Sequence, residues 1–419
     1  MKYCIIGSGG REHALCSSLK NSNNISKIYC IPGNAGTSLI AENKSIDLKD
    51  FEQIKDFIKK NEIDIVLVGP EQPLVDGIVD YLERYKIKVF GPSKSASQLE
   101  GSKIFTKNLC KKYNIPTANF GIFINSEDAN KFLEKCNLPI VIKADGLASG
   151  KGVYICNSKD EGLTAIREIF EGKFGLAEKI LIEEFLDGEE MSFFIISDGK
   201  NYKTFSTAQD HKRVLEGDKG KNTGGMGAYS PSRLENNTLN QKILENIIDP
   251  TLKGLAELGT NFKGFLYAGL MINNGQARLV EYNVRFGDPE CQALMMRLGA
   301  QVLDLLIATS SGDLENAQIN WANDHALCVV MASNGYPGKI EKGSIITGLQ
   351  SLTSSSSQMC FHAGTKKEGE NIVANSGRVL SLTTRCETLA EAQKLAYEMV
   401  KNIDWQDGFC RSDIGWRAL

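Results

Sequence analysis

Lys143-Ala-Asp-Gly-Leu-Ala-Ser-Gly-Lys-Gly152 follows the apolar run Pro139-Ile-Val-Ile-Lys143 and leads into a second strand, Val153-Tyr-Ile-Cys156. Three glycines (Gly146, Gly150, Gly152) and two lysines (Lys143, Lys151) in such a turn can wrap N–H groups and positive charge around a polyphosphate. Far downstream the strand Ala277-Arg-Leu-Val-Glu281 runs into Glu281-Tyr-Asn-Val-Arg-Phe-Gly-Asp-Pro-Glu290. Side chains alternate along a strand, so Glu281 and Asn283 share a face. A carboxylate and an amide oxygen side by side are hard ligands, suited to Mg²⁺ shared with phosphate oxygens. The glycine loop is not a Walker A loop, because only three residues separate Gly146 from Gly150 and Gly152 follows Lys151. Taken alone it is hard to tell from a solvated hairpin. Together with Glu281, Asn283 and the acidic run Ile182-Glu-Glu-Phe-Leu-Asp-Gly-Glu-Glu190, it describes a site for a nucleoside triphosphate and its metal.

The elements that must hold these residues fall into three stretches, as 419 residues are too many for one core. Residues 1–101 alternate strand and helix: Tyr3–Ile6, a helix Arg11–Leu19, Ile28–Ile31, a helix Phe51–Lys60, Ile65–Val68 and Val89–Phe90. That rhythm predicts a doubly wound parallel sheet. Residues 102–316 are mixed, with hairpin strands around the glycine loop and long helices expected at Lys242–Leu258 and Pro289–Ala308. Gln209–Pro231, charged and glycine-rich, reads as a long functional loop. Residues 317–419 offer strands at Ala326–Ala332 and Arg378–Thr384, an amphipathic helix at Leu389–Asn402, and a serine-rich, mobile loop at Ser351–Gln358. The expected class is therefore multidomain α/β and α+β.

A net charge of −3 argues against nucleic acid as a partner, since such proteins present a basic face. Eleven cysteines, an odd number without a C-x-x-C pair, fit reduced thiols rather than a disulfide framework. The apolar run after Met1 is too short for a signal peptide, and no stretch is long enough to span a bilayer. A cytoplasmic chain without nucleic-acid or membrane partners is expected, either monomer or homodimer.

Ile6-Gly7-Ser8-Gly9-Gly10-Arg11-Glu12-His13 follows the first strand and opens a helix, as a dinucleotide fingerprint does. His13 occupies the third glycine position, however, and Ile31-Pro32-Gly33 stands where a ribose-binding acid belongs. What remains is a tight turn at a helix N-terminus, an anion site better suited to a phosphate monoester. Pro32-Gly-Asn-Ala-Gly36 and Gly69-Pro-Glu-Gln-Pro73 end strands on the same carboxyl edge, where open parallel sheets bind ligands. His13 is read as structural.

Those segments, with Glu100-Gly-Ser-Lys103, Gln209-Asp-His-Lys-Arg213, Thr223-Gly-Gly-Met-Gly227 and Gly408-Phe-Cys-Arg-Ser-Asp-Ile-Gly-Trp-Arg417, resemble the phosphoribosylamine–glycine ligase family of the ATP-grasp superfamily. The resemblance runs from the first strand to the last residues. It implies an N-terminal substrate domain, an ATP-grasp core with a mobile lid over about residues 117–187, and a small C-terminal α+β domain. It also implies ATP as co-substrate. Lys103 and Lys143 would contact its phosphates, with Gly146, Ser149, Gly150, Lys151 and Gly152 as the flap above them. Glu183, Glu184, Phe185 and Leu186 would form the hinge strand against adenine, with Glu190 near the ribose. Glu281 and Asn283 would hold Mg²⁺ or Mn²⁺. Many ATP-grasp enzymes add an acid from the preceding strand, but Tyr267-Ala-Gly-Leu-Met-Ile272 has none.

The implied reaction is ATP-dependent ligation of glycine to 5-phosphoribosylamine through glycyl phosphate. Arg285, Lys143 and Asp210 are then the candidate catalytic groups. Gly9, Gly10, Asn34, Ala35, Gly36 and Glu71 become candidate acceptor contacts on the N-terminal side. Asp210, Lys212, Arg213, Gly225 and Met226 play that part in one core segment, and Arg285, Gly287 and Asp288 in the other. Competing readings are a different ATP-grasp ligase, a Rossmann-type oxidoreductase and a non-catalytic nucleotide-binding module.

Overall fold

The structure, a computed structural model, describes residues 1–22, 24–147, 152–173 and 178–419. Five parallel strands open the chain, in the spatial order Glu42–Asn43, Lys27–Pro32, Lys2–Gly7, Ile65–Val68, Val89–Phe90. The central strands are continuous apolar runs because helices cover both faces of the sheet. Lys2–Gly7 has the strand that follows it on one side and Ile65–Val68 on the other, which makes its carboxyl end the switch point of the sheet. The helix Gly10–Lys20 starts there. It is buried nearly all round instead of on one stripe, since the helix Glu290–Leu298 packs against its outer side.

Residues 120–184 build a small antiparallel sheet in the order Phe120–Phe123, Ile180–Glu184, Ile140–Ala144, Val153–Cys156. The helices Ser126–Glu134 and Lys159–Phe170 bury Ala129, Leu133, Ala165, Ile166 and Ile169 against it, giving this part of the chain its own core. The hairpin Ile140–Ala144/Val153–Cys156 carries the glycine loop at its tip.

The largest sheet is antiparallel and runs Gln276–Asn283, Lys263–Asn273, Glu189–Asp198, Tyr202–Asp210, Gly227–Ser230, His325–Ser333, Arg378–Cys386, Gln358–His362. It passes without interruption from the middle of the chain into the C-terminal stretch, joined where Gly227–Ser230 pairs with His325–Ser333. Leu389–Lys401 packs on its C-terminal part behind a capping box of Thr388 and Glu391. Among the described residues no single helix is long and apolar enough to cross a membrane.

Three sequence expectations change. Gln209–Pro231 is not a loop: it holds the end of one strand, the hairpin Arg213–Leu215/Lys219–Asn222 and the strand Gly227–Ser230. Pro289–Ala308 is two helices, Glu290–Leu298 and Gln301–Ser311, bent by 101° at Gly299, whose φ of +61° no continuing helix adopts. Lys242–Leu258 begins earlier, at Asn237, and passes through a π-turn at Leu244–Ile248 before Asp249–Glu257.

Candidate active site

Lys143 is the last residue but one of its strand, its side chain buried and its ammonium 3.1 Å from Glu183 Oε1. The other oxygen of Glu183 takes Lys107 at 3.1 Å, and Lys107 also donates to Thr117 Oγ1 at 2.6 Å. The expected adenine-side residue Glu183 therefore turns its carboxylate inward to hold two lysines. Lys103 and Lys107 sit one turn apart on the helix Lys103–Tyr113, a spacing that could have revealed Lys107. Burial lowers the pKa of both from the ordinary lysine value. Lys103 donates to Gly146 O at 2.7 Å. Asp145 accepts from Ser102 Oγ at 3.1 Å and from Ile104 N at 3.2 Å, so the start of the glycine loop is stapled to that helix N-terminus. Gly146 has φ +96° and nothing within 4 Å of a would-be Cβ. Ser149, Gly150 and Lys151 lie outside the described residues.

Along the hinge, Glu184 pairs with Arg278 and accepts from Asn119 N at 3.0 Å; Phe185 is 38% exposed and Leu186 is buried. Glu190 pairs with Lys212, whose ammonium also lies 3.6 Å from Glu281 Oε1. Glu281 and Asn283 stand opposite Gly269 and Tyr267 on the neighbouring strand. Burial pushes the Glu281 carboxyl up, but Lys212, Lys143, Lys103 and Arg285 outweigh it and hold the group below its ordinary value. Burial pulls Lys212 down, and Glu190, Tyr267, Asp210 and Glu281 together raise it well above an ordinary lysine. Burial raises Asp210, with Glu290, Glu190 and Glu281 adding to the shift and Lys212 opposing it. Lys212 is thus the lysine in reach of Glu281, while Lys143 and Lys103 act on its charge from their own partners, Glu183 and Gly146 O.

Arg285 is placed by its neighbour Phe286, which packs against Phe265 at 3.7 Å between ring centroids and against Phe194 and Phe205. Its guanidinium is committed to two carboxylates, Glu100 at 2.6 Å and Glu71 at 3.2 Å. Glu100 also accepts from Val284 N at 2.8 Å. Arg285 and Glu71 accordingly face each other across the joint between the parallel sheet and the core. Arg285 holds Glu71 down to about 2, while burial lifts Glu100 to about 7.

At the switch point, Gly9 N donates to Glu12 Oε2 at 2.6 Å, and Glu12 pairs with Arg11 Nε at 2.6 Å. A Cβ on Gly69 would fall 1.9 Å from Glu12 Oε1, so the two glycine turns close over this buried carboxylate. Gly9 also faces Asp288 Oδ2, 3.1 Å from a would-be Cβ, and Gln292 Nε2 fills the space a Cβ on Gly10 would need. Burial raises the Asp288 carboxyl, yet Arg378 and Arg11 outweigh it and keep it below its usual value. Arg378, which no motif singled out, donates to Gly224 O at 2.6 Å and to the backbone oxygen of Asp288. It ties the Thr223–Gly227 and Gly287–Glu290 turns together, and Gly225 packs on Pro289 at the same place.

Several of the expected contact residues are engaged within the protein itself. The Asn34 amide donates to Ser8 O at 2.9 Å and His362 O at 2.8 Å and accepts from Gly36 N and Thr37 N, so it holds its own turn. Ala35 is buried, and Gly36 leaves room for the His13 ring. Met226 is fully buried beside Tyr229, Leu327 and Ile414. Gly287 leaves room for Glu290, to which Ser192 Oγ donates at 3.1 Å. Arg213 donates to Gly220 O across its own hairpin.

Three family models cover the chain: "Phosphoribosylglycinamide synthetase, N domain" over residues 1–100, "ATP-grasp (A) domain" over 101–291 and "C domain" over 326–417. The chain is 50% identical over 420 residues to the phosphoribosylamine–glycine ligase of Mesorhizobium japonicum, covering 100% of this chain and 99% of the relative. It is 46% identical over 425 residues to the enzyme of that name from Escherichia coli O6:H1, at 100% and 99% coverage. Its fold is similar to the crystal structure of phosphoribosylamine–glycine ligase from Thermotoga maritima, with a TM-score of 0.87, 33% identity and 99% and 100% coverage. Likeness to Campylobacter jejuni biotin carboxylase, at a TM-score of 0.73, 15% identity and 97% and 92% coverage, is one of fold alone.

Proposed function

The chain belongs to the phosphoribosylglycinamide synthetase family and performs ATP-dependent ligation of glycine to phosphoribosylamine in purine biosynthesis; we propose that it does so through glycyl phosphate formed beside Lys143 and Glu281. The observation that carries this reading is a row of lysines beside the glycine loop and the metal-binding strand: Lys143 buried against Glu183, Lys103 on Gly146 O and Lys212 3.6 Å from Glu281 Oε1. A glycine carboxylate oxygen attacks the γ-phosphorus and ADP leaves. Such a transfer needs positioning and charge neutralisation more than covalent help. Lys143 and Lys103 supply fixed positive charge from a water-poor setting, where it acts strongly. The phosphoribosylamine nitrogen then attacks the acyl carbon, and phosphate and a proton depart. The small sheet of residues 120–184 shields the acyl phosphate from water.

A hard cation fits the donor set of Glu281 and Asn283, one an ionised carboxylate and the other an amide on the same strand. Among the described residues no cluster of three or more His, Cys, Asp or Glu side chains offers a rival metal site. Mg²⁺ or Mn²⁺ held there would neutralise phosphate charge when bound. Asp288, ionised and facing Gly9, is positioned to grip an ammonium or amine at the switch point, where the Gly9 N–H is already taken by the Glu12 carboxylate and the sequence expectation of an anion site in this turn is not met. Arg285 fixes the joint between the two halves of the site. Eleven free cysteines support a reducing compartment, the cytoplasm.

The test is ADP release from ATP and Mg²⁺ with glycine, with and without phosphoribosylamine generated in situ. The reading expects release that needs both acceptors and yields glycinamide ribonucleotide by mass. Nucleotide binding without turnover would overturn the assignment of the acid and the amine.

A further inference from the structure

The C-terminal motif Gly408–Arg417 packs against residues 211–218. Its centre, Arg411, is among the largest fully buried side chains in the protein, at 1% exposure. The guanidinium is bound on every side: Nε donates to Asp413 Oδ1 at 2.7 Å and Nη2 to Asp413 Oδ2 at 2.8 Å. Nη1 donates to Asp218 Oδ1 at 3.0 Å and to Arg213 O at 2.9 Å. Around it the tail is laced to residues 211–218. Gly415 N donates to His211 Nε2 at 2.9 Å, Gly217 N to Asp413 Oδ2 at 2.8 Å, and Arg417 to Asp218 Oδ2 at 2.5 Å. Ser412 Oγ donates to Glu216.

These bonds fall on either side of Lys212, on the His211 ring and the Arg213 carbonyl. The Lys212 carbonyl is held separately, accepting from Thr223 N at 2.7 Å and Thr223 Oγ1 at 2.9 Å. Its side chain alone leaves this frame, reaching Glu190 and Glu281. A lysine has four rotatable bonds, and its reach into the site depends on where its backbone is anchored. We infer that the C-terminal segment is a clasp, with Arg411 the positioning residue that sets Lys212 against Glu190 and Glu281. The clasp makes no contact with substrate. It acts on the reaction through Lys212, and the inference rests on the proposed placement of Lys212 at the nucleotide site.

A double-mutant cycle on the full chain tests it, read as the Kd for Mg²⁺–ATP by calorimetry so that inactive variants still report. Arg411→Met is expected to weaken binding about tenfold in the parent but no more than about twofold in Lys212→Met, the non-additivity of two residues acting through one contact. Arg411→Lys is expected to recover part of the loss. Equal losses in both backgrounds, or parental affinity for Arg411→Met, would overturn the clasp. Parental affinity in Lys212→Met would instead overturn the placement of the lysine itself. Should Arg411→Met not fold, Asp413→Asn replaces it in the cycle, with an expected loss of about threefold that again shrinks in Lys212→Met.

Discussion

Glu281 shows how a single residue can be tested against its surroundings. Its carboxylate is held ionised by lysines and belongs to no packed core, so Glu281→Gln changes charge and leaves shape alone. Turnover is expected to fall by about a hundredfold or more, with the unfolding midpoint unchanged; near-parental kcat at saturating Mg²⁺ would contradict the role. Lys143→Ala is a cleaner test than burial alone suggests, because Lys107 stays behind to neutralise Glu183 and no orphaned carboxylate is left. The expected result is a loss of kcat/KM for ATP of at least about tenfold without loss of fold. Unchanged ATP dependence would show that this lysine does not face the phosphates. Residue types and strand alternation were enough to pair Glu281 with Asn283 from sequence. They could not show that Arg285 is engaged by Glu71 and Glu100, partners more than 180 positions away, nor that Arg378 reaches back from the C-terminal stretch. Side chains joined only by the tertiary fold leave no local spacing to read.

At the scale of elements, four strands and two helices of residues 1–101 were legible because buried parallel strands are unbroken apolar runs and Phe51–Lys60 has one apolar stripe, whereas the two-residue strand Glu42–Asn43 and the short helices Glu71–Asp76, Ile78–Glu83 and Gln98–Gly101 are too brief to show a period. The stretch Gln209–Pro231 was misread for the opposite reason. Its strands are three or four residues long, and charges and glycines leave them no hydrophobic period. Gly225 lies in this region with φ +112° and a would-be Cβ 2.5 Å from Pro289 Cδ. Gly225→Ala therefore meets both backbone strain and a clash with the neighbouring turn, costing about 1–3 kcal/mol. Because Arg378 binds both turns, the displacement is expected to reach Asp288 and raise KM for an acceptor substrate more than KM for ATP. Equal changes in all three KM values would place the damage in general stability.

On the scale of the whole molecule, the parallel sheet is held to the C-terminal stretch by a pair of histidines. His362 N donates to His13 Nδ1 at 2.8 Å, and the His362 ring meets Thr365 Oγ1 at 3.1 Å. Both rings are buried, which pushes His13 down to about 3 and His362 down to about 4. An unfolded histidine takes up its proton near 6.5, so below that pH the unfolded chain binds more protons than the folded one. Stability contributed by the neutral pair is complete above about pH 6.5 and is lost progressively as pH falls toward the folded values. By pH 5 each histidine should cost about 2 kcal/mol. The loss has a structural meaning, because a proton on His13 Nδ1 would displace the His362 N–H and open the contact between the glycine-turn helix and the strand Gln358–His362. Glu100, lifted to about 7, and the lowered His211 and His325 titrate in the same window, so the test compares variants: between pH 7 and pH 5 the urea-derived stability of His13→Gln should fall by about 2 kcal/mol less than the parent's. A gap between parent and His13→Gln that stays the same at both pH values would mean that the joint tolerates charge, and that the N-terminal sheet is held in place by the Arg285 bridge instead.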